Sequence, residues 1–363
     1  MRCSRLLVVA SLTVASLVGR PSVAGAQFYQ QHNLFSDVPG LADKVDPDLV
    51  NGWGLVASAT SPWWVADNAS NKSTLYNTSS GNPPTKLGLV VSVPGNPTGV
   101  VNYGGTGFVV TSGAVHGPSR FIFATEAGTI LGWPGNPATV AVVGVPAANG
   151  AVYKGLAIAG DVLYATNFHN GTVDVFDKNF SPIKPGDPGN AGFADPSLPS
   201  GYAPFGIRNL SGLIYVTYAL QDQDAHDDVP GEGHGFVNVF DTSGNLLGRV
   251  ASKGQLNSPW GLAFAPDKFG KFSGDLLVGN FGNGRIHAFD PQRTTGQGEF
   301  QHRGPLHSAD GPPLEIDGLW ALAFGNNAAA GPSTTLFFTA GPFDEGHGLF
   351  GSIVAVGPPG QDR

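Results

Sequence analysis

Short apolar runs alternate with turn residues along this chain, and the stretch from Ser258 to Asp290 shows the pattern most clearly. It contains the runs Trp-Gly-Leu-Ala-Phe, Leu-Leu-Val-Gly-Asn and Arg-Ile-His-Ala-Phe-Asp, separated by segments rich in Gly, Asn and Asp. Such runs joined by short Gly/Asn loops predict antiparallel hairpins. Helical periodicity is absent, and Gly and Pro recur too often for long helices.

This unit repeats along the chain. Each copy opens with a small residue inside an apolar run, at intervals of 45 to 60 residues: Gly54, Gly99, Gly155, Gly206, Gly261 and Ala321. A repeat of this length with three or four strands is typical of a propeller blade. The six copies therefore predict an all-β fold, a six-bladed β-propeller.

The two ends of the repeat array are incomplete. The last copy has a third strand but little chain after it, whereas the extended lead-in, with a strand over 28–36, has no unit before it. Pairing this first strand with the sixth blade would complete the blade and hide two exposed sheet edges. We therefore expect a single domain of residues 27–363 whose ring is closed by the N-terminal strand.

The first 26 residues have the features of a secretory signal peptide. A start with Arg2 and Arg5 precedes an apolar run from Leu6 to Val18, and Ala24-Gly-Ala26 offers a small-residue cleavage site. No run is long enough to span a bilayer as a helix. The sequence thus predicts a secreted or periplasmic protein without a transmembrane segment.

Composition narrows the class of partners. Three of the 19 basic residues and none of the 27 acidic residues fall in residues 1–26, so the mature chain has 16 against 27 and a net charge of −11. This charge argues against nucleic acid and anionic membranes as partners. The only Cys and the only Met are Cys3 and Met1, so disulfides and thiolate ligands are excluded from the mature chain. We expect a monomer.

Three resemblances follow from particular motifs. Trp260-Gly-Leu-Ala-Phe, Leu276-Leu-Val-Gly-Asn and the run 283–290 resemble the NHL repeat, which implies six blades. The run His32-Asn-Leu-Phe-Ser-Asp-Val-Pro-Gly-Leu-Ala with Asn51-Gly-Trp-Gly-Leu resembles a family of exported bacterial proteins without an assigned activity. The chain is also similar to lactonases of the gluconolactonase type, which hold calcium with a Glu, two Asn and an Asp. That resemblance places Asn51 and Asp317 at the positions of two ligands.

The residues just before the repeated small residues should surround the mouth of the central channel. They are Trp53, Thr98, Lys154, Phe205, Trp260 and Trp320. Aromatic side chains around one funnel suit a flat apolar or glycan-like ligand. The alternative is that they plug the channel and pack the blades together. Loops after the second strands lie on the same face and add Asn167 and Asn280 to the predicted funnel.

A second group of polar residues in those loops has the composition of a metal site. The most polar loop, residues 221–234, contains two His and several acids, and the loops of blades three and six add further ligands. The predicted set is His169, His226, His234, His347, Asp222, Asp224 and Glu345. Imidazole with carboxylate suits a transition metal, and carboxylate with carbonyl suits Ca. The alternative is a solvated acidic loop with incidental His.

Two classes of function remain open from the sequence. One is a metal-assisted hydrolase or lyase, in which a divalent ion polarises a carbonyl or activates water. The other is a binding or surface-interaction propeller without catalysis. The sequence has no Gly-x-Ser-x-Gly elbow, phosphate-binding Gly loop or His-Glu-x-x-His motif.

Overall fold

The fold begins with a strand that belongs to the last blade. The computed structural model describes residues 28–357, so the predicted signal peptide lies outside the described residues. The first two strands are β1 (Phe28–Ser36) and β2 (Lys44–Val45). Together with the following strands they form six successive blade sheets around a central axis, with one further two-stranded hairpin, and this arrangement confirms the predicted six-bladed β-propeller.

The first three blades follow one another in chain order. Blade 1 contains β3 (Gly52–Val56), β4 (Trp63–Asp67), β5 (Lys72–Asn77), β6 (Thr85–Lys86) and β7 (Val91–Ser92). Blade 2 contains β8 (Pro97–Asn102), β11 (Phe121–Thr125), β12 (Ile130–Trp133) and β13 (Val142–Val145), with the separate hairpin β9 (Val109–Ser112) and β10 (Val115–Pro118). Blade 3 contains β14 (Tyr153–Ala159), β15 (Val162–Asn167), β16 (Thr172–Phe176) and β17 (Pro182–Ile183).

The last three blades complete the ring. Blade 4 contains β18 (Tyr202–Leu210), β19 (Leu213–Leu220), β20 (Phe236–Phe240) and β21 (Leu246–Ser252). Blade 5 contains β22 (Pro259–Phe264), β23 (Leu276–Asn280), β24 (Ile286–Thr294) and β25 (Phe300–Pro305), with a 3-10 turn at Gly270–Phe272. Blade 6 contains β26 (Leu319–Phe324), β27 (Leu336–Ala340) and β28 (Leu349–Val356). Within residues 28–357, no helix has the length and hydropathy required to cross a bilayer.

The innermost strands β3, β8, β14, β18, β22 and β26 contact one another in sequence around the axis, and β26 returns to β3. Glycine permits this close approach. A Cβ at Gly99 would lie 2.3 Å from the backbone nitrogen of Leu156, and one at Gly206 would lie 2.3 Å from the carbonyl oxygen of Trp260. The small residues that revealed the repeat therefore mark where neighbouring blades touch.

The N-terminal strand closes the ring as expected. β1 pairs antiparallel with β28 from Phe28 opposite Val356 to Ser36 opposite Leu349. Tyr29 carries this strand into the core, because its ring is fully buried between Phe269 and Phe272 and its hydroxyl donates to the Phe269 carbonyl. Blade 6 thus takes its outer strand from the start of the chain.

Two local features depart from a regular four-stranded blade. The apolar run that begins at Phe108 has the sequence pattern of a blade strand, but it forms the hairpin β9–β10 outside the four-stranded sheet of blade 2. The segment from Lys86 to Val93 has the length of one outer strand, but the outer edge of blade 1 consists of the two short strands β6 and β7, which both pair with β5. Edge positions have only one neighbouring strand, so their pairing is weakly specified by alternation alone.

Candidate functional site

One face of the propeller contains the loops that lead into the innermost strands and the loops that follow the second strands. We call it the central face. Its centre is closed by six aromatic side chains that we call the aromatic plug: Trp53, Phe168, Phe205, Trp260, Phe281 and Trp320. Trp53 stacks on Trp320 with ring centroids 3.7 Å apart, and Phe281 covers the same Trp320 ring at 4.0 Å. Burial of so much apolar area stabilises the ring of blades.

Of the two interpretations of the aromatic residues, the structure supports the plug. Trp53, Phe205 and Trp320 are buried, and only Trp260 and Phe281 keep part of their surface exposed. The rings therefore contact each other rather than form the open aromatic funnel expected for a stacked ligand. Packing wins because the inner strands converge and the large side chains fill the remaining channel.

A polar layer lies directly above the plug and is centred on Lys154. The Lys154 side chain is 1% exposed, and its Nζ donates to Glu126 Oε1 at 2.5 Å and to Asp227 Oδ1 at 2.8 Å. The same Nζ lies 5.2 Å from the centroid of Trp53, which adds a cation–π contact. Burial would lower the pKa of Lys154, but the two carboxylates outweigh it and raise the pKa.

Two asparagines connect this layer to the opposite side of the ring. Trp320 Nε1 donates to Asn51 Oδ1 at 3.0 Å, and Asn51 Nδ2 donates to Glu345 Oε2 at 2.6 Å. Asn68 Nδ2 donates to Glu126 Oε2 at 2.8 Å. Loops and strands of blades 1, 2, 3, 4 and 6 thus contribute to one hydrogen-bonded layer, which only the closed ring can assemble.

Carboxylates outnumber cations in this layer. Burial raises the pKa of Glu345, and the negative charges of Glu126 and Asp227 add to the effect. Burial likewise raises the pKa of Asp228 to about 6. Asp228 Oδ2 is buried and has no hydrogen-bond partner among residues 28–357. For Asp227, Lys154 and His226 overcome burial and hold the pKa below its ordinary value. The layer therefore contains four carboxylates and one ammonium group, and two of the four carboxylates bind that group.

The loop that carries Glu345 has a strained backbone. Phe343, Asp344 and Glu345 have φ angles of 59°, 51° and 61°, three successive left-handed residues without a glycine. Left-handed geometry costs roughly 1–2 kcal/mol per ordinary residue and normally occurs singly. Asn51, which binds Glu345, also has a positive φ of 49°. Strain of this kind is typical of functional sites, where the surrounding structure must hold it.

The other predicted funnel residues have structural partners. Asn167 is buried, and its amide donates to Asp174 while its oxygen accepts from Val152. Asn280 is buried and donates to the Gln255 carbonyl. Asp317 is exposed and accepts from the backbone of Phe343, so it braces the strained loop. Asn51 is the member of this group that lies in the polar layer.

The structure does not gather the predicted metal set. Within residues 28–357, the one group of three or more such side chains with ligand atoms mutually within 4.8 Å is Glu126, His226 and Asp227. His347 Nδ1 lies 2.7 Å from Asp37, and His234 Nδ1 lies 2.9 Å from the Val229 carbonyl. The remaining predicted ligands have other surroundings: His169 and Asp224 are exposed, Asp222 accepts from the backbone of His226, and Glu345 binds Asn51.

Three residues of the polar layer, Asn51, Lys154 and Glu345, were predicted from the sequence as site residues. The loop 221–234 does lie over the channel mouth, because Asp227 reaches Lys154 there. Asn68, Glu126, Asp227 and Asp228 belong to the polar loops of this face but were not selected as site residues. These residues share one feature that is visible in the sequence: each follows the second strand of its blade, and such loops lie near the propeller axis.

Comparison with known proteins identifies relatives along most of the chain. No family model matches the sequence. Uncharacterized protein R648 of Acanthamoeba polyphaga mimivirus is 33% identical over 335 residues, covering 88% of this chain and 78% of the viral protein. Uncharacterized protein L690 of the same virus is 32% identical over 340 residues, covering 88% and 84%. These relatives are viral, so the expected bacterial family stays a prediction.

Among solved structures, a catalytically inactive His-to-Ala variant of virginiamycin B lyase from Staphylococcus aureus, crystallised with quinupristin, has a TM-score of 0.50 and 12% sequence identity. The match covers 91% of this chain and 100% of the lyase chain. At this identity the likeness shows the propeller fold alone.

Proposed function

Since the chain belongs to the same family as the mimivirus proteins R648 and L690, which carry no assigned activity, we propose its function from the geometry of the central face. It is an exported binding propeller that recognises a small organic cation. One observation carries the proposal: Glu126 and Asp227 bind the buried ammonium group of Lys154, and two further carboxylates, Asp228 and Glu345, lie close enough to interact with it electrostatically.

The surplus of negative charge defines the ligand. Ionised carboxylates that lie above an apolar plug repel one another. A bound cation reduces this repulsion and offsets the free-energy cost of removing the carboxylates from water. Lys154 already shows how Glu126 and Asp227 hold an ammonium group. Phe281 of the aromatic plug is partly exposed, and Phe343 is 59% exposed on the strained loop. An amine with an apolar body therefore matches the chemistry of this face.

Calorimetric titration with benzylamine tests the proposal, with benzyl alcohol as the neutral probe of similar shape. We expect wild type to bind the amine, and Glu345→Gln and Asp228→Asn each to weaken binding about 10-fold, because a hydrogen bond to a charged group contributes roughly 1.5–3 kcal/mol. The matched control is Asp267→Asn, which removes an exposed carboxylate from the loop after β22, on the opposite face.

Equal binding of benzylamine and benzyl alcohol would contradict this function, as would a control variant that loses as much affinity as the two site variants. Affinity for the amine should also fall as the pH is lowered through about 6, because Asp228 then becomes neutral. A titration between pH 5 and pH 8 measures this effect.

A second candidate is the metal-assisted hydrolase or lyase, and the group Glu126, His226 and Asp227 favours it. These side chains offer two carboxylates and one imidazole, a donor set that suits a transition metal. Lys154 Nζ already binds one oxygen of each of these two carboxylates, so a metal ion coordinated by the same groups would lie close to a positive charge. This proximity is the reason that we rank the metal second.

Metal analysis of the untagged mature protein separates the two candidates. Stoichiometric zinc or calcium that is lost in His226→Ala, together with turnover of a lactone or ester, would establish the second candidate. Under the first candidate, His226→Ala leaves benzylamine binding within about twofold of wild type, since the imidazole adds no negative charge to the layer.

A further inference from the structure

We propose that the opposite end of the central channel is a binding site for a small monocarboxylate with an apolar body, held by Arg208. The site lies beyond the aromatic plug and does not rest on the function proposed for the central face. It is a cavity of about 480 Å³ inside the ring of inner strands. This volume lies in the range of small-ligand pockets, roughly 300–1,000 Å³.

The walls of the cavity come from the ends of the inner strands. Blades 1 to 4 line most of it, and Trp260, Leu262 and Ala321 of blades 5 and 6 complete it. Trp260 belongs to the aromatic plug as well, so the plug forms the floor that separates this cavity from the central face. At the rim Ala59 is exposed and Asn102 is half-buried, so solvent reaches the cavity from that side.

Arg208 brings a positive charge into this cavity. It lies on β18 of blade 4, and its Nη1 donates to the Leu322 carbonyl on β26 of blade 6 at 2.6 Å, so the side chain reaches across the channel. In the part of the chain that the structure describes, no Asp or Glu lines the cavity. Burial lowers the pKa of Arg208 to about 10, which still leaves the guanidinium charged at neutral pH.

The other arginines show how unusual this environment is. Among residues 28–357, Arg249, Arg285, Arg293 and Arg303 each have a carboxylate partner, and Arg120 is exposed to solvent. Arg208 alone in that part of the chain is half-buried in the channel and has no ion-pair partner. A guanidinium without an ion-pair partner keeps several N–H donors in a fork that matches a carboxylate.

The surroundings narrow the ligand further. One positive charge balances one negative charge, so a monocarboxylate leaves no excess, whereas a doubly charged phosphate would. Apolar side chains such as Leu156, Ile207 and Leu262 lie along the walls. They favour a ligand whose body is apolar and whose single charge meets Arg208.

Calorimetry with 2-naphthoate, 2-naphthamide and inorganic phosphate tests the site on the full mature chain. We expect naphthoate to bind 1:1, to raise the melting temperature as its concentration increases, and to bind at least about 10-fold more tightly than the neutral amide. Arg208→Met keeps the apolar stem and should bind the acid no better than the amide. Arg208→Lys keeps the charge but lacks the forked pair of N–H donors, so its affinity for naphthoate should lie between those of wild type and Arg208→Met.

The control is Arg293→Gln, which removes one positive charge from an exposed strand end and should leave naphthoate affinity unchanged. Circular dichroism and thermal melting establish that each variant is folded. If Arg208→Met does not fold, wild type and Arg208→Lys still decide the question. Equal affinity of wild type for acid and amide, or no binding of either, overturns the proposal. Tighter binding of phosphate than of naphthoate contradicts the proposal that the ligand has an apolar body.

Discussion

At the scale of single residues, the chain places glycine where two backbones need the space of a side chain. A Cβ at Gly54, Gly99, Gly206 or Gly261 would lie within 2.3–2.5 Å of a backbone atom of the next blade. No rotamer change can relieve such a contact, because the neighbour is a strand of the adjacent sheet. These positions therefore set the spacing of the blades around the axis.

We predict that Gly99→Ala lowers the free energy of unfolding by about 3 kcal/mol, at the upper end of overpacking effects. The added methyl group would meet the backbone of Leu156 on β14. Gly248→Ala on the outer strand β21 is the matched control, because no atom of the described residues lies within 4 Å of its Cβ position. Urea denaturation measures both, and equal effects in the two variants would show that the close approach is not limiting.

Asp228 gives a second residue-scale prediction, on pH. Its folded pKa of about 6 lies above the ordinary 3.8, so the folded state prefers the protonated form. Its contribution to stability is therefore complete below pH 3.8 and is lost as the pH rises toward and through 6. Asn imitates the protonated acid. We expect Asp228→Asn to be more stable than wild type by about 1–2 kcal/mol at pH 8, a value reduced for partial exposure.

The same variant should match wild type at pH 3.5, where both side chains are neutral. Urea denaturation at the two pH values makes the comparison. A stabilisation of equal size at both would mean that packing, rather than charge, causes it. If Asp228→Asn is more stable than wild type only at pH 8 and also binds benzylamine more weakly, the Asp228 carboxylate contributes to binding and lowers the stability of the fold.

At the scale of elements, the closing strand is the feature on which the ring depends. β1 forms eight register pairs with β28, and Tyr29 fills a position between blades 5 and 6. Without β1, the edge of β28 would expose unpaired backbone groups and the ring would lose an anchored side chain.

We predict that deletion of residues 28–36 from a protein of residues 27–363 lowers the melting temperature by about 10 °C or more or prevents folding, since several kcal/mol of pairing and burial are lost. A synthetic peptide of those residues, added in trans, should restore part of the loss, whereas a scrambled peptide should not. Differential scanning calorimetry measures both. A truncated protein as stable as the complete one would show that the ring closes through other contacts.

The strands differ in how well the sequence predicts them. Innermost and second strands were predictable, because they are buried on both faces and read as continuous apolar runs, as in β23 (Leu276–Asn280). The outer strand of blade 1 and the hairpin β9–β10 were not. Both lie at edges, where one neighbour supplies the pairing and apolar content is low.

At the scale of the whole molecule, the sequence predicted the face of the site better than its contents. Propeller geometry alone assigns Lys154 and the loop 221–234 to the central face. It does not reveal that Glu126 and Asp227 converge on one ammonium group, because the convergence depends on side-chain directions across three blades. It also gives no indication that Arg208 spans the channel to blade 6.

The pairing of β1 with β28 has a consequence for how the molecule comes into being. β1 cannot pair until β28 has been synthesised, so the ring stays open until all six blades have been made. Contacts between residues so distant in sequence form slowly. Before closure, blades 1 and 6 each leave one side uncovered, and the polar layer around Lys154 is incomplete. Under the proposed export, a chain whose ring is still open could cross the membrane before it folds. The ligand site then forms only when β28 pairs with β1 and the ring closes.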